Sequence, residues 1–110
     1  MKVTLRQAWE KGLAAHRDGK LEDAERLYRA ILEAEPRHAE ASHNLGVLLV
    51  SMGRANDALP MLKKAVDTNP SIDQCWLTYI EALIDAGQFD QARQEFTNAR
   101  RAPISSERLE

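Results

Sequence analysis

Apolar residues along this chain fall three or four positions apart, in six successive runs. Leu5, Ala8, Trp9, Gly12, Leu13 and His16 keep helical spacing up to Asp18-Gly19. Leu21, Ala24, Leu27, Tyr28, Ile31 and Leu32 form the stripe of a second helix, which Pro36 stops. The pair recurs from about Ala39 to Met52 and Asn56 to Thr68, and again from about Asp73 to Ala86 and Phe89 to Arg101. No run alternates with period two between hairpin signals, so the pattern predicts no strands. Thr4-Leu5-Arg6-Gln7 reads as a capping box at the first helix start, and Gly19 as a residue free to take the left-handed conformation that ends a helix. Pro60 falls inside a predicted helix. With Asn56 as N-cap it sits in the first turn and costs about one backbone hydrogen bond.

The landmarks recur every 34 residues. Gly53 falls on Gly19 and Gly87, Ala58 on Ala24 and Ala92, Leu62 on Tyr28 and Phe96, Gly46 on Gly12, and Pro70 on Pro36. A fixed period with small residues, aromatics and a terminal proline in register is a repeat array. Over about residues 5–104 the helix pairs resemble tetratricopeptide repeats. That family has small residues where the helices of a pair cross, which Gly12 with Ala24 and Gly46 with Ala58 would supply here, because backbones approach closely only where no bulky side chain intervenes. Leu45, Leu49 and Leu62, then Tyr79, Leu83 and Phe96, are expected to fill the wedge between helices. The third pair departs from the family pattern at Ile80, where glycine is usual, and the first at Lys11, where leucine is usual. The resemblance implies an all-α fold, a right-handed solenoid of three antiparallel helix pairs in a single domain over residues 1–110. The repeats are expected at about 5–38, 39–72 and 73–104, with 105–110 the start of a truncated or capping helix.

The ends of the array follow from which faces turn polar. The face expected to pack on a preceding repeat reads Ala41, Leu45, Leu48 in the second pair and Cys75, Tyr79, Ala82 in the third. In the first it reads Gln7, Lys11, Ala14, a face turned to water. At the other end Leu27 and Leu32, then Met61 and Val66, become Glu95 and Arg100, both expected on a solvated outer face. The array is therefore expected to stop at three pairs.

Composition adds exclusions. The chain is 44% hydrophobic and 29% charged with a net charge of −2, a balance that argues against disorder and against a nucleic-acid footprint. The basic cluster Arg93, Arg100, Arg101 and Arg108 has only Phe96 among it, assigned to the core. The longest uninterrupted apolar run is Val47 to Val50, against the ~20 residues a membrane span needs. No apolar targeting segment follows Met1-Lys2-Val3. Cys75, the single cysteine, leaves no internal disulfide; it reads as a buried packing thiol in a reducing, cytoplasmic protein. Among the histidines, His38 and His43 are five apart, which suits no ligand pair. His16 and His43 can approach across neighbouring helices, but no cysteine or paired carboxylate completes a metal site. Acidic residues are dispersed among Lys and Arg, and each glycine sits at a helix crossing or end rather than in a phosphate loop. No enzyme activity, cofactor or metal is expected.

Stacked pairs of this family curve and leave their first helices lining a concave groove. The residues expected there are Arg6, Trp9, Glu10, Leu13, His16 and Arg17 from the first pair. The second supplies Glu40, His43, Asn44, Val47, Val50 and Ser51, and the third Gln74, Leu77, Thr78, Glu81, Ile84 and Asp85. Family members that grip a terminal carboxylate do so with lysine, asparagine and arginine. Here Trp9 and Leu13 stand where that clamp has lysine and asparagine, Asn44 matches, and Gln74 and Thr78 replace lysine and arginine. An asparagine ladder for extended peptides is also broken, by Glu10 and Thr78 flanking Asn44. What remains is an apolar stripe of Trp9 and Leu13, Val47 and Val50, Leu77 and Ile84, suited to an apolar helix or peptide. Three readings follow. The first is a non-catalytic interaction module for a protein or peptide partner. The second is the recruitment arm of a larger bacterial enzyme such as a glycosyltransferase or sulfotransferase, which Ala24 to Pro36 resembles. The third is self-association into a homo-oligomer through the groove.

Overall fold

The same five-residue device closes each helix pair. Gly19, Gly53 and Gly87 take φ of 78°, 75° and 77°, and the amide after each glycine donates back to a carbonyl five residues earlier. Lys20 reaches Ala15, Arg54 reaches Leu49 and Gln88 reaches Leu83, each at 2.8 Å. A side chain is strained at such a φ, so glycine is required there. The computed structural model describes residues 3–103, in six helices with no strand among them. They are α1 Leu5–Arg17, α2 Leu21–Ala34, α3 Ala39–Ser51, α4 Ala55–Thr68, α5 Asp73–Asp85 and α6 Phe89–Arg101. Each packs on its chain neighbour, and α3 also meets α5, so the helices form an all-α, solenoid-like stack 46 Å long, 28 Å wide and 21 Å deep. The tail 105–110, expected as the start of another helix, lies outside the described residues.

Local chemistry starts α1 as the sequence predicts. The Thr4 hydroxyl accepts from the Gln7 amide and the Gln7 side chain accepts from the Thr4 amide, both at 3.0 Å. The core runs through all three pairs, with Tyr28, Ile31, Leu45, Leu48, Leu49, Leu62 and Leu83 fully enclosed. The stacking faces Ala41, Leu45, Leu48 and Cys75, Tyr79, Ala82 are buried, whereas Gln7 and Lys11 are exposed and Ala14 is half-buried. Burial also pushes the Cys75 thiol up to about 11, so it is protonated at neutral pH.

Three expectations need correction. Helix α4 begins at Ala55 with Arg54 as N-cap, not at Asn56, because the Gly53 turn fixes where the chain re-enters helix. Pro60 is then the sixth helical residue, inside the helix. Having no N–H, it leaves the Asn56 carbonyl without its helical donor. Both residues are exposed, which leaves that carbonyl within reach of solvent. Restoring the donor with Pro60→Ala is expected to raise stability by about 1 kcal/mol. That is less than the full ~3 kcal/mol of a mid-helix proline, because the site is solvated and the unfolded chain regains freedom. Equal urea midpoints for the two proteins would count against this account.

The second correction is Glu95, expected on the solvated end face but only 1% exposed. Its side chain points back into the stack, where Lys63 of α4 and Tyr79 of α5 meet it. Arg100 does lie on the exposed face, with its guanidinium 6.0 Å from the Phe96 ring. Phe96 itself is the third correction: it is half-buried rather than core, so the third pair closes less tightly than the second. Ile80, the bulky residue in the glycine column, is likewise only partly buried against the core.

Candidate binding groove

Two of the clefts that the first helices α1, α3 and α5 border hold most of the residues expected in the groove. The larger holds about 700 Å³ between α3 and α5. Helix α3 contributes His43, Asn44, Val47 and Val50; α5 contributes Gln74, Thr78, Glu81, Ala82, Ile84 and Asp85. The second, about 530 Å³, lies between α1 and the start of α3 and is lined by Leu5, Arg6, Trp9, Glu10, Leu13, His38 and Glu40. Each side chain is placed by helical spacing. His43, Val47 and Val50 recur at four and three along α3, as do Gln74, Thr78, Glu81 and Asp85 along α5, so each set shares one face.

Of the residues expected in a groove, His16, Arg17, Ser51 and Leu77 line neither cleft. The Arg17 side chain pairs with Asp18 at 3.4 Å. The Ser51 hydroxyl turns back to donate to the Leu48 carbonyl at 2.6 Å. His16 is half-buried with Nδ1 3.2 Å from the Tyr28 hydroxyl. The apolar stripe is therefore shorter than the sequence suggests. Its exposed members are Leu13 at 38% and Ile84 at 47%, with Val47 and Val50 half-covered beside them.

Trp9 differs most in role. Its ring lies 5.3 Å from that of His38 and 5.9 Å from that of Tyr28, tilted to both, so it forms a wall of the cleft rather than a free anchor. His38 is held in place by the backbone, its Nδ1 accepting from the Ala41 amide at 3.0 Å as the cap of α3. A cap made by histidine in place of the usual Ser, Thr, Asp or Asn carries no sequence signal, and neither His38 nor Leu5 was expected in the groove. The floor of the larger cleft is polar. His43 Nε2 lies 2.9 Å from the Thr78 hydroxyl, and the Gln74 amide donates to that same oxygen at 3.3 Å. Burial lowers the His43 pKa, against a smaller opposing effect from the Asn44 hydrogen bond, and so keeps the ring neutral at pH 7. Burial likewise raises the pKa of Tyr28, against a smaller lowering by the Asn44 side chain.

No helix of the described residues is long and apolar enough to cross a membrane. Among them, no three His, Cys, Asp or Glu side chains converge as metal ligands do. The groove instead offers an open trough with aliphatic side chains, amide and hydroxyl partners, and two carboxylates at one end.

Comparison with known proteins bears on the family. The tetratricopeptide-repeat family model matches residues 15–70 and again 49–102. Human tetratricopeptide repeat protein 7A is 30% identical over 96 residues, 87% of this chain and 11% of that protein. Cellulose synthase 2 operon protein C of Komagataeibacter xylinus is 35% identical over 78 residues, 71% of this chain and 6% of that protein. The chain thus spans about a tenth or less of the length of these relatives. Among solved structures, the TPR2B domain of yeast Sti1 in complex with pHsp70 superposes with a TM-score of 0.80 at 18% identity, covering 88% of this chain and 78% of that one. With matches over most of its length and six helices in the same arrangement, the chain belongs to the tetratricopeptide-repeat family.

Proposed function

We propose that this chain is a non-catalytic protein-interaction module that seats a peptide or short helix between α3 and α5. The observation that carries the reading is the 700 Å³ cleft itself, in which Val47, Val50 and Ile84 offer apolar surface beside Asn44, Gln74 and Thr78. Apolar side chains bring affinity by leaving water, and the fixed amides and hydroxyl set register along the bound segment. The yeast Sti1 domain, which shares this fold, is solved with a bound partner, pHsp70, and this is consistent with the reading. The cleft's Thr78 hydroxyl, which meets His43, is also held by the Gln74 side-chain amide, and the one thiol is buried and protonated. A cytoplasmic location rests on that lone cysteine.

Peptides selected from a displayed library on the intact chain provide the test. Val47→Glu places a charge on the half-buried wall of the cleft and is expected to weaken a selected peptide at least tenfold while leaving helical circular dichroism unchanged. Peptides that bind Val47→Glu and Ile84→Glu as tightly as the parent would rule out this cleft. Light scattering on the free chain separates self-association from partner binding.

A second reading, a recruiting arm within a longer enzyme-associated protein, is favoured by the small share of each relative that the chain spans and by the relative named for a cellulose synthase operon. The length of the native gene product decides it. A coding sequence that ends near residue 110 removes this reading.

A further inference from the structure

The cleft between α3 and α5 combines aliphatic side chains with charge of a single sign. Its lining includes Glu81 and Asp85 and no lysine or arginine. The two carboxylates are four apart on α5, so they stand about 6 Å from each other along one helical face. Both are exposed, and among the described residues neither is within ion-pair reach of a cation.

The backbone adds to the same field independently. Helices α3 and α5 both end on this side of the cleft, and neither has a basic residue in its last turn. A helix C-terminus carries partial negative charge on its unpaired carbonyls and favours a cation nearby. Helix α1 supplies its own, His16 and Arg17. At the positions one and two repeats beyond Arg17 the chain has Ser51 and then Asp85.

We infer that the segment bound between α3 and α5 is a basic amphipathic helix, with aliphatic side chains on Val47, Val50 and Ile84 and a lysine or arginine beside Glu81 and Asp85. This deepens the groove reading and rests on it. An acidic or carboxylate-terminated segment is disfavoured, because it would bring like charge to an end that holds no cation. The aliphatic side chains fix where the helix lies, and the carboxylates fix which of its faces turns toward α5.

The test uses the intact chain, labelled with ¹⁵N, and two synthetic peptides of about four helical turns with both ends blocked. They share one leucine pattern and differ only in having lysine or glutamine at the polar positions. The lysine peptide is expected to shift the amides of Val47, Glu81, Ile84 and Asp85 and to bind about tenfold tighter than the glutamine peptide at low salt, as two partly exposed charge pairs allow. The preference should shrink as salt screens it and vanish in the double variant E81Q/D85N. These are exposed, near-isosteric changes, and circular dichroism checks the fold. Equal binding of both peptides at the same amides, unaffected by E81Q/D85N, would overturn the basic partner and leave the groove reading intact. Shifts confined to other acidic surfaces would overturn the proposed seat. If neither peptide moves any cleft amide, the inference and the groove reading fall together.

Discussion

Gly46→Ala is expected to destabilise the chain by about 2 kcal/mol, although alanine is the better helix former by ~1 kcal/mol. A methyl group built at Gly46 would press on Leu62 Cδ2 and come within 2.5 Å of its Cγ, closer than carbon atoms pack. Leu62 is fully enclosed, so it has no free space to turn into. The contact therefore forces α3 away from α4 at their crossing, the step on which α5 then stacks. Thermal unfolding should show a drop of roughly 10 °C, at ~5 °C per kcal/mol for a chain of this size. Leu62→Ala alone should cost about 3 kcal/mol through the cavity it leaves. Combined, the two changes should cost at least ~1 kcal/mol less than their sum, because the added methyl occupies part of the space the leucine vacates. Strict additivity would mean the two groups do not touch. Gly12→Ala is the internal comparison. There the nearest atom is Tyr28 Cε1 at 2.9 Å, so the smaller overlap should cost correspondingly less.

The same column shows why so much of the fold was legible in the sequence. Close helix crossings demand small residues, tight turns demand glycine at positive φ, and both demands recur at one period. Side-chain orientation was harder to read. Asn56 is a better N-cap by residue type than Arg54, yet α4 starts after Arg54 because the turn at Gly53 holds it there. The period itself carried the answer, since Ala55 falls on Leu21 and Phe89, which begin α2 and α6. Trp9 read as part of the apolar groove stripe because it lies one turn before Leu13 on α1. The rings that cover it, Tyr28 and His38, belong to other elements. Most of the candidate groove followed from helical spacing. Leu77 did not, because the face it shares with Trp9 and His43 turns toward the next first helix, and none follows α5 among the described residues. Glu95 is the largest departure. A carboxylate in a column shared with Leu27 and Met61 reads as solvated unless its partners are known, and two of them lie 32 and 16 residues away.

Those partners set the second large effect. Glu95 is enclosed by four donors. Tyr79 Oη and Lys63 Nζ reach its Oε2 at 3.0 and 3.3 Å, Gln91 reaches the same oxygen at 3.3 Å, and Asn98 reaches Oε1 at 2.9 Å. Burial alone would raise its pKa; the hydrogen bonds from Asn98 and Tyr79 and the Lys63 charge outweigh that and hold the carboxyl below its usual range. Glu95→Ala removes the acceptor that the buried Tyr79 hydroxyl needs, and so should cost about 3 kcal/mol, mostly through polar groups left unpaired between α4, α5 and α6. Glu95→Gln keeps the shape and one acceptor oxygen and should cost about half as much. A carboxyl whose folded pKa lies below its unfolded value of 4.5 stabilises the fold above that value, and the contribution is lost as pH falls through the folded pKa. The melting temperature of the parent chain should therefore fall as pH drops below about 5, and that of Glu95→Gln should fall less. Some slope should persist in the variant, since Glu25 is also held low: burial opposes ionisation there too, but hydrogen bonds from Arg29 and Arg54 overcome it. Parallel profiles for the two proteins between pH 5 and pH 3 would show that the Glu95 carboxylate does not hold the third helix pair to the second.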